Sequence, residues 1–359
     1  MTDAKARALR LCSKYLGGAW ANSSETNVAV TEISGGLTNK LYRCSNSAAR
    51  PPDVLYRRLN DLYARNADLL LANTTIALLL GEREIGPKTY AVFPGGRLEE
   101  FINGRPLATE ELSERRLSET IAVHLARLHC MKDLPVAKEP QWFSDSVTSW
   151  LDETQDVEQH LAEKPDDIKL LREIESLLNI RKEKSWIESK ILAETTSPVV
   201  FSHNDLQEGN VLLLHTASDR PEIKLIDFEF SSYNFRAFDI ANHFREWSLD
   251  YSHHVPPYFT LDETKLPTEE QQAIFLREYL KEISKQEDRV INTEKEIEKI
   301  LKEVKRFVLV SDFAYAVWGI AHAKNSAIPF GYMEYALVRF KAYLQGKQSY
   351  LKSIESMSS

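Results

Sequence analysis

Near residue 103 the chain changes texture, and that change limits what it can fold into. Up to Asn103-Gly-Arg-Pro106 the apolar residues fall mostly in short runs cut by glycine and proline. Beyond it they recur at helical spacing. Alternation and turn residues predict strands over Val28–Ile33, Leu41–Cys44, Val54–Arg57, Thr89–Phe93 and Arg97–Ile102. Two helices interrupt them, one over Arg7–Trp20 closing at Gly17-Gly18 and one over Ala67–Glu84. Helices are predicted after the boundary over 110–131, 146–161, 166–191, 237–246, 269–285, 293–323 and 332–345. The 359 residues are enough for two cores. The expected class is α+β, with a small strand-rich part over 1–102 and a large helical part over 103–359.

One stretch inside the helical part breaks the pattern. Val199-Val-Phe201 leads into a loop, and Val211–His215 and Ile223–Ile226 flank a polar turn, which predicts a hairpin. Around that hairpin stand Phe201-Ser-His-Asn-Asp-Leu-Gln-Glu-Gly-Asn210 and Leu225-Ile-Asp-Phe-Glu-Phe230. Phosphoryl transfer asks a protein for a carboxylate that orients and deprotonates a hydroxyl, and for hard oxygen ligands to magnesium. Asp205 suits the first task, and Asn210 and Asp227 suit the second. The order His-x-Asp-x-x-x-x-Asn, hairpin, Asp-Phe resembles the catalytic apparatus of kinase-like phosphotransferases, which implies ATP and magnesium. Either half alone is a weak pattern, and the two in this order around an apolar hairpin are specific. His203 is read as packing beneath the loop.

Composition narrows the partners. A net charge of −8 is opposite to the basic footprint of a nucleic-acid binder. Cys12, Cys44 and Cys130 are too few and too scattered for a disulfide framework or a metal cluster. The first residues carry no apolar signal core. The most apolar run, Leu69–Leu80, is too short for a bilayer and contains Asn73, Thr74 and Thr75. A cytoplasmic protein without an integral membrane segment is expected. Ser34, Gly35 and Gly36, in the turn Ser34–Asn39 between the first two strands, could bring backbone N–H groups to phosphates.

Further segments carry a closer resemblance. They are Arg7-x-x-x-x-Cys12-x-x-Tyr15-Leu-Gly-Gly-Ala-Trp20, Ile33-Ser-Gly-Gly36, Ile85-Gly-Pro-Lys88, Gly96-Arg-Leu-Glu99 and Lys138-Glu-Pro140. The most specific is Ile226-Asp-Phe-Glu-Phe-Ser-Ser-Tyr-Asn-Phe-Arg-Ala-Phe-Asp-Ile-Ala-Asn-His-Phe-Arg-Glu-Trp247. Over nearly its whole length the chain resembles the choline/ethanolamine kinases, and Gln207-Glu-Gly209, Glu246-Trp247 and Phe330–Tyr335 resemble the choline kinases among them. The resemblance implies a bilobal, protein-kinase-like fold and phosphorylation of choline by ATP, the first step toward phosphatidylcholine. It also implies a homodimer. It places ATP against Ser34, Gly35, Gly36, Arg57 and the segment Glu100, Phe101 and Ile102. It places choline in a box of Phe230, Tyr251, Tyr315, Trp318, Phe330 and Tyr335, with Glu246 as anionic wall and Gln207 beside the base.

A quaternary ammonium has no N–H to donate, so ring faces and a carboxylate are what can recognise it. Outside the resemblance, such an aromatic stripe reads as core. Phe230 stands where the family typically has tyrosine, and Tyr315 where it typically has tryptophan. The family pairs its strand arginine with a helical glutamate. Arg57 matches the first, with Arg58 next to it, but the glutamate position falls on Asn73, which cannot neutralise an arginine. Two other functions are therefore weighed: an ethanolamine-preferring kinase, and a kinase-like binding protein of weak activity.

Overall fold

A computed structural model describes residues 3–33, 39–59, 67–326 and 328–358. The chain divides into two compact units. The first takes Met1–Pro106, Asp133–Val136 and Gly209–Ser231, and the second takes Leu107–Lys132, Ala137–Glu208 and Ser232–Ser359.

The first unit is built on an antiparallel sheet of β1 (Ala29–Ile33), β2 (Lys40–Ser45), β3 (Asp53–Arg58), β4 (Thr89–Phe93) and β5 (Gly96–Glu100). The strand order is β1-β2-β3-β5-β4. Successive strand residues point to opposite faces, and the sequence uses the two faces differently. Val30, Tyr42, Cys44, Val54, Tyr56 and Leu98 pack with Ala8, Leu9, Cys12 and Trp20 in an apolar core that includes helix Asp3–Tyr15. That helix ends before the expected Trp20, because Gly18 turns left-handed at φ +61 and a short 3-10 turn follows. The opposite face of β3 and β5 carries Arg57, Arg97 and Glu99. Helix Ala67–Glu82 belongs to the same unit. So does a three-stranded sheet in which β8 (Val211–Leu214) lies between β6 (Gly104–Pro106) and β9 (Ile223–Leu225). The predicted hairpin is β8–β9.

The second unit is helical. Helix Thr293–Asn325 runs through it, with Phe313–Ala321 buried without interruption, and a stretch apolar on every side needs that placement. Helices Tyr332–Ser358, Arg236–Glu246 and Trp142–Glu153 pack on it, and Arg115–His129 packs on Glu269–Gln286. The predicted helix over 166–191 is two, Pro165–Leu177 and Ile180–Ile187, separated where Asn179 caps the second through the Lys182 N–H. β7 (Val199–Ser202) pairs with β10 (Ser232–Phe235), a strand that sequence patterning did not indicate. Among the described residues no helix is long and apolar enough to cross a membrane.

Candidate functional site

In the first unit Arg57 on β3 lies directly opposite Arg97 on β5. Two guanidiniums side by side on one face repel, and a carboxylate must separate them. Glu99, two residues beyond Arg97 and therefore on the same face, does so. It accepts from Arg57 Nε at 3.3 Å and from Arg97 Nε. Arg57 Nη1 reaches Asp227 Oδ1 at 3.1 Å. Burial alone would lower the Arg57 pKa, but the charges of Glu99, Asp227 and Glu229 outweigh it and hold it above its ordinary value. Burial likewise opposes ionisation of Glu99, and the two arginines prevail and lower its pKa. Asn73, on the helix, accepts from Arg97 Nη1 at 2.8 Å and donates to the Glu229 carbonyl at 3.4 Å. The carboxylate missing at position 73 is thus supplied to Arg57 from β5.

The hairpin positions two more predicted residues. Val211 pairs with Leu225, and the Ile226 N–H bonds the Asn210 carbonyl at 3.0 Å. Asn210 and Asp227 therefore sit at the same end of the hairpin, as its sequence implied. Asp227 adopts φ 62, a left-handed conformation uncommon outside glycine and asparagine. Glu100 closes β5, its carboxylate accepting from the Lys88 N–H at 3.1 Å. Phe101 carries the Arg43 guanidinium on its ring at 4.3 Å, and Ile102 follows in the same segment. Phe230 ends the turn Phe228–Phe230 in this unit. Ser34, Gly35 and Gly36 lie outside the described residues.

Asp205 belongs to the second unit, where one buried carboxylate frames its loop. Asp239 accepts from the backbone N–H of His203 at 2.7 Å and of Asn204 at 2.8 Å. Its Oδ2 also meets His129 Nε2 at 3.0 Å, and His129 Nδ1 meets the Tyr279 hydroxyl at 2.8 Å. Burial would push the Asp239 carboxyl up, but the bond to His129 and the nearby His203 hold it below its ordinary range. Asn204, left-handed at φ 67, receives the Asn234 amide on Oδ1 at 2.8 Å and donates to Ser232 Oγ at 3.0 Å. The Asp205 N–H approaches His203 Nδ1 at 3.3 Å, and the Gln207 N–H bonds the Asp205 carbonyl at 3.1 Å. His203 is fully buried beneath the loop, as read from the sequence.

Helix Arg236–Glu246 carries Asp239 near its start and Glu246 at its end, and all eleven of its residues are buried. Polar groups so placed must find partners inside the protein. Asn242 Oδ1 receives Ser311 Oγ at 2.7 Å, His243 Nδ1 meets the Leu206 carbonyl at 3.0 Å, and Arg245 Nε meets Asp312 at 2.8 Å. Glu246 accepts from the Tyr251 hydroxyl at 2.8 Å and faces Arg339 Nη1 at 3.5 Å. Its pKa is raised, because burial outweighs Arg339 and Tyr251.

Five of the six predicted box rings gather in this unit. Tyr315 and Trp318 lie on one helix face with centroids 6.4 Å apart, and Trp318 lies 5.9 Å from Tyr335. Tyr335 is 5.7 Å from Phe330, and Tyr251 is 6.2 Å from Phe330. The Tyr315 hydroxyl donates to the Asn204 carbonyl at 2.6 Å and lies 3.4 Å from Asp205 Oδ1. Three neighbours were not predicted. His322 stacks on Trp318 at 4.3 Å, Tyr332 lies 5.7 Å from Trp318, and Phe259 lies 5.4 Å from Phe330. Tyr315, Trp318 and His322, and likewise Tyr332, Tyr335 and Arg339, are spaced i, i+3, i+7, a signal that could have found His322, Tyr332 and Arg339 but not Phe259. Burial lowers the His322 pKa to about 4, so it adds no positive charge to the cluster at neutral pH.

Residues 30–344 match the family model described as choline/ethanolamine kinase. The chain belongs to the choline/ethanolamine kinase family. A curated human choline/ethanolamine kinase is 40% identical over 99% of this chain and 89% of its own length. Mouse choline kinase alpha is 37% identical over 95% of this chain and 80% of its own. The crystal structure of a choline kinase from Cryptosporidium parvum superposes with a TM-score of 0.79 at 28% identity, covering 97% of each chain. The fold is therefore the bilobal, protein-kinase-like one, a strand-rich part followed by a helical part, and the family's chemistry is phosphorylation of an alcohol.

Proposed function

We propose that this chain transfers the γ-phosphate of ATP to the hydroxyl of choline, with Asp205 as the base. The observation that carries the reading is the contact of Tyr315 with both parts of the second-unit site. Its ring belongs to the aromatic cluster, and its hydroxyl lies 3.4 Å from the Asp205 carboxylate. An ammonium held among Tyr251, Trp318, Phe330 and Tyr335, near Glu246, puts the hydroxyl at the end of its two-carbon arm toward Asp205. Asp205 takes the hydroxyl proton, the freed oxygen forms the new bond to the γ-phosphorus, and the bond to the β-phosphate oxygen breaks to release ADP. Gln207 shares the base loop and orients the alcohol.

Arg57, anchored by Glu99, the turn at Ser34, Gly35 and Gly36, and the segment Glu100, Phe101 and Ile102 bind the nucleotide in this reading. The donor set at the hairpin end, one carboxylate and one amide oxygen, suits magnesium, which prefers hard oxygen ligands. Asp227 and Asn210 would hold it, and when bound it neutralises charge on the phosphates. Phe230 is assigned to the choline box by resemblance. A homodimer rests on the resemblance alone, and a cytoplasmic location on the three scattered cysteines, which suit a reducing compartment.

The deciding assay is ATP- and magnesium-dependent turnover of choline and ethanolamine side by side. Ring faces favour the methylated ammonium, so choline is expected to lead in kcat/KM by about tenfold, the worth of one or two desolvated cation–π contacts. A lead for ethanolamine would make this the other kind of family member. Binding of either amine without ADP release would make it a binding protein.

Trp318→Ala isolates the box. The choline KM is expected to rise about 10- to 30-fold, with the ATP KM within about twofold. Removing a large buried side chain also costs about 3–5 kcal/mol of stability, which reduces the amount of active enzyme but not the ratio of the two KM values. Equal increases in both would mean that Trp318 only fills the core.

A further inference from the structure

The Tyr315 hydroxyl has a second consequence, which rests on the reading of Asp205 as the base. Tyr315 is 5% exposed, and its hydroxyl donates to the carbonyl of Asn204, a fully buried residue in the left-handed region at φ 67. The peptide carrying that carbonyl is the one that leads into Asp205. Asp239 fixes the Asn204 N–H, Asn234 and Ser232 fix the Asn204 side chain, and Tyr315 fixes the carbonyl. A peptide whose N–H, side chain and carbonyl are each bonded keeps one orientation. A carbonyl that rotates about this peptide turns the Asp205 backbone with it, and a misplacement of about 1 Å is enough to cost catalysis heavily.

We propose that Tyr315 is a positioning residue for the catalytic base: its hydroxyl clamps the Asn204–Asp205 peptide, so that the residue acts on turnover more than on ammonium affinity. The ring supplies one wall of the cluster, and phenylalanine supplies the same wall. Only the hydroxyl sets the base. Burial holds the Tyr315 pKa well above its ordinary value, so the group keeps the proton that it donates.

Tyr315→Phe, Asp205→Asn and the double variant test this in steady-state assays with choline and ATP, with folding followed by melting temperature and choline Kd. Tyr315→Phe is expected to lower kcat about tenfold, the kinetic equivalent of one hydrogen bond, with the choline KM within about twofold. In the Asp205→Asn background the same change is expected to add nothing, because the group being positioned no longer accepts a proton. An unchanged kcat in Tyr315→Phe, a rise in choline KM alone, or a full second loss in the double variant overturns the proposal. If Asp205→Asn by itself keeps wild-type turnover, the assignment of the base fails, and with it the clamp on that base, whatever Tyr315→Phe does; if Asp205→Asn is inactive and Tyr315→Phe is not impaired, the clamp alone fails. Should Tyr315→Phe not fold, 3-fluorotyrosine at 315 keeps ring and hydroxyl while making the hydroxyl more acidic. A changed kcat at constant choline KM then supports the clamp, and an unchanged kcat overturns it.

Discussion

Asp205→Ala is expected to lower kcat about a thousandfold while leaving both KM values within about twofold. The reasoning starts from what holds the loop. Its frame is made by backbone groups, the His203 and Asn204 N–H on Asp239 and the Asn204 carbonyl on Tyr315. Truncating the Asp205 side chain removes none of these bonds, so the loop keeps its path and the aromatic cluster its rings. On the proposed assignment, what disappears is the acceptor for the hydroxyl proton, a group needed in the transition state and not for binding. Asp205→Asn should match the alanine variant, since an amide of the same shape cannot take the proton. Circular dichroism and the melting temperature of both variants should stay near wild type. A kcat within tenfold of wild type would place the base elsewhere.

How much of this was legible beforehand follows from the range of each interaction along the chain. The strands of the sheet and the hairpin at Val211–Leu225 are local patterns, and short apolar runs cut by turn residues were enough to locate them, whereas the left-handed Asp227 gave no sequence signal. The helices were legible as periodicity, and their ends less so, since Gly18 and Asn179 act through single backbone conformations and caps. Asp205, Asn210 and Asp227 were proposed from their spacing, and the shared hairpin end of Asn210 and Asp227 is the part of that reading seen in the structure. The partners that set those groups could not be read that way. Glu99 answers Arg57 because β3 and β5 lie side by side in one register, and Asn73 at the expected position pointed to a deficit that the sheet had already filled. Asp239 lies 34 residues from Asp205, and only the packing of helix Arg236–Glu246 reveals that it holds the loop. Tyr315 was legible as a ring, and its hydroxyl acquires a role only when Asn204 is seen beside it.

A loss of stability as large as that of Trp318→Ala, but with a pH dependence, is expected from Arg339→Met. Arg339 is fully buried, with Nε 3.2 Å from Asp312, Nη1 3.5 Å from Glu246, and Nη2 bonding the Ser311 carbonyl at 3.2 Å and hydroxyl at 3.0 Å. Its guanidinium lies 5.4 Å from the Tyr315 ring centroid and 5.6 Å from that of Tyr335. Methionine fills similar volume and leaves Glu246 without its cation and Asp312 with Arg245 alone. Stranding a buried charge in this way costs about 3–5 kcal/mol, which should lower the melting temperature on the order of 10 °C. Arg339→Lys should lose nearly as much, since one ammonium cannot reproduce a fork aimed at three groups. The pH dependence gives the sign. Burial already raises the Glu246 pKa, and removing Arg339 raises it further, so the folded variant binds a proton that the unfolded chain has released. The deficit is then full above the raised folded pKa and shrinks as pH falls toward the ordinary glutamate value of about 4.3. Choline KM should rise in the same variant, because a protonated Glu246 no longer faces the ammonium as a charge. Melting curves from pH 4.5 to 8 decide it: a deficit that is constant, or that grows on acidification, would mean that Arg339 stabilises the unit by packing rather than by its charge.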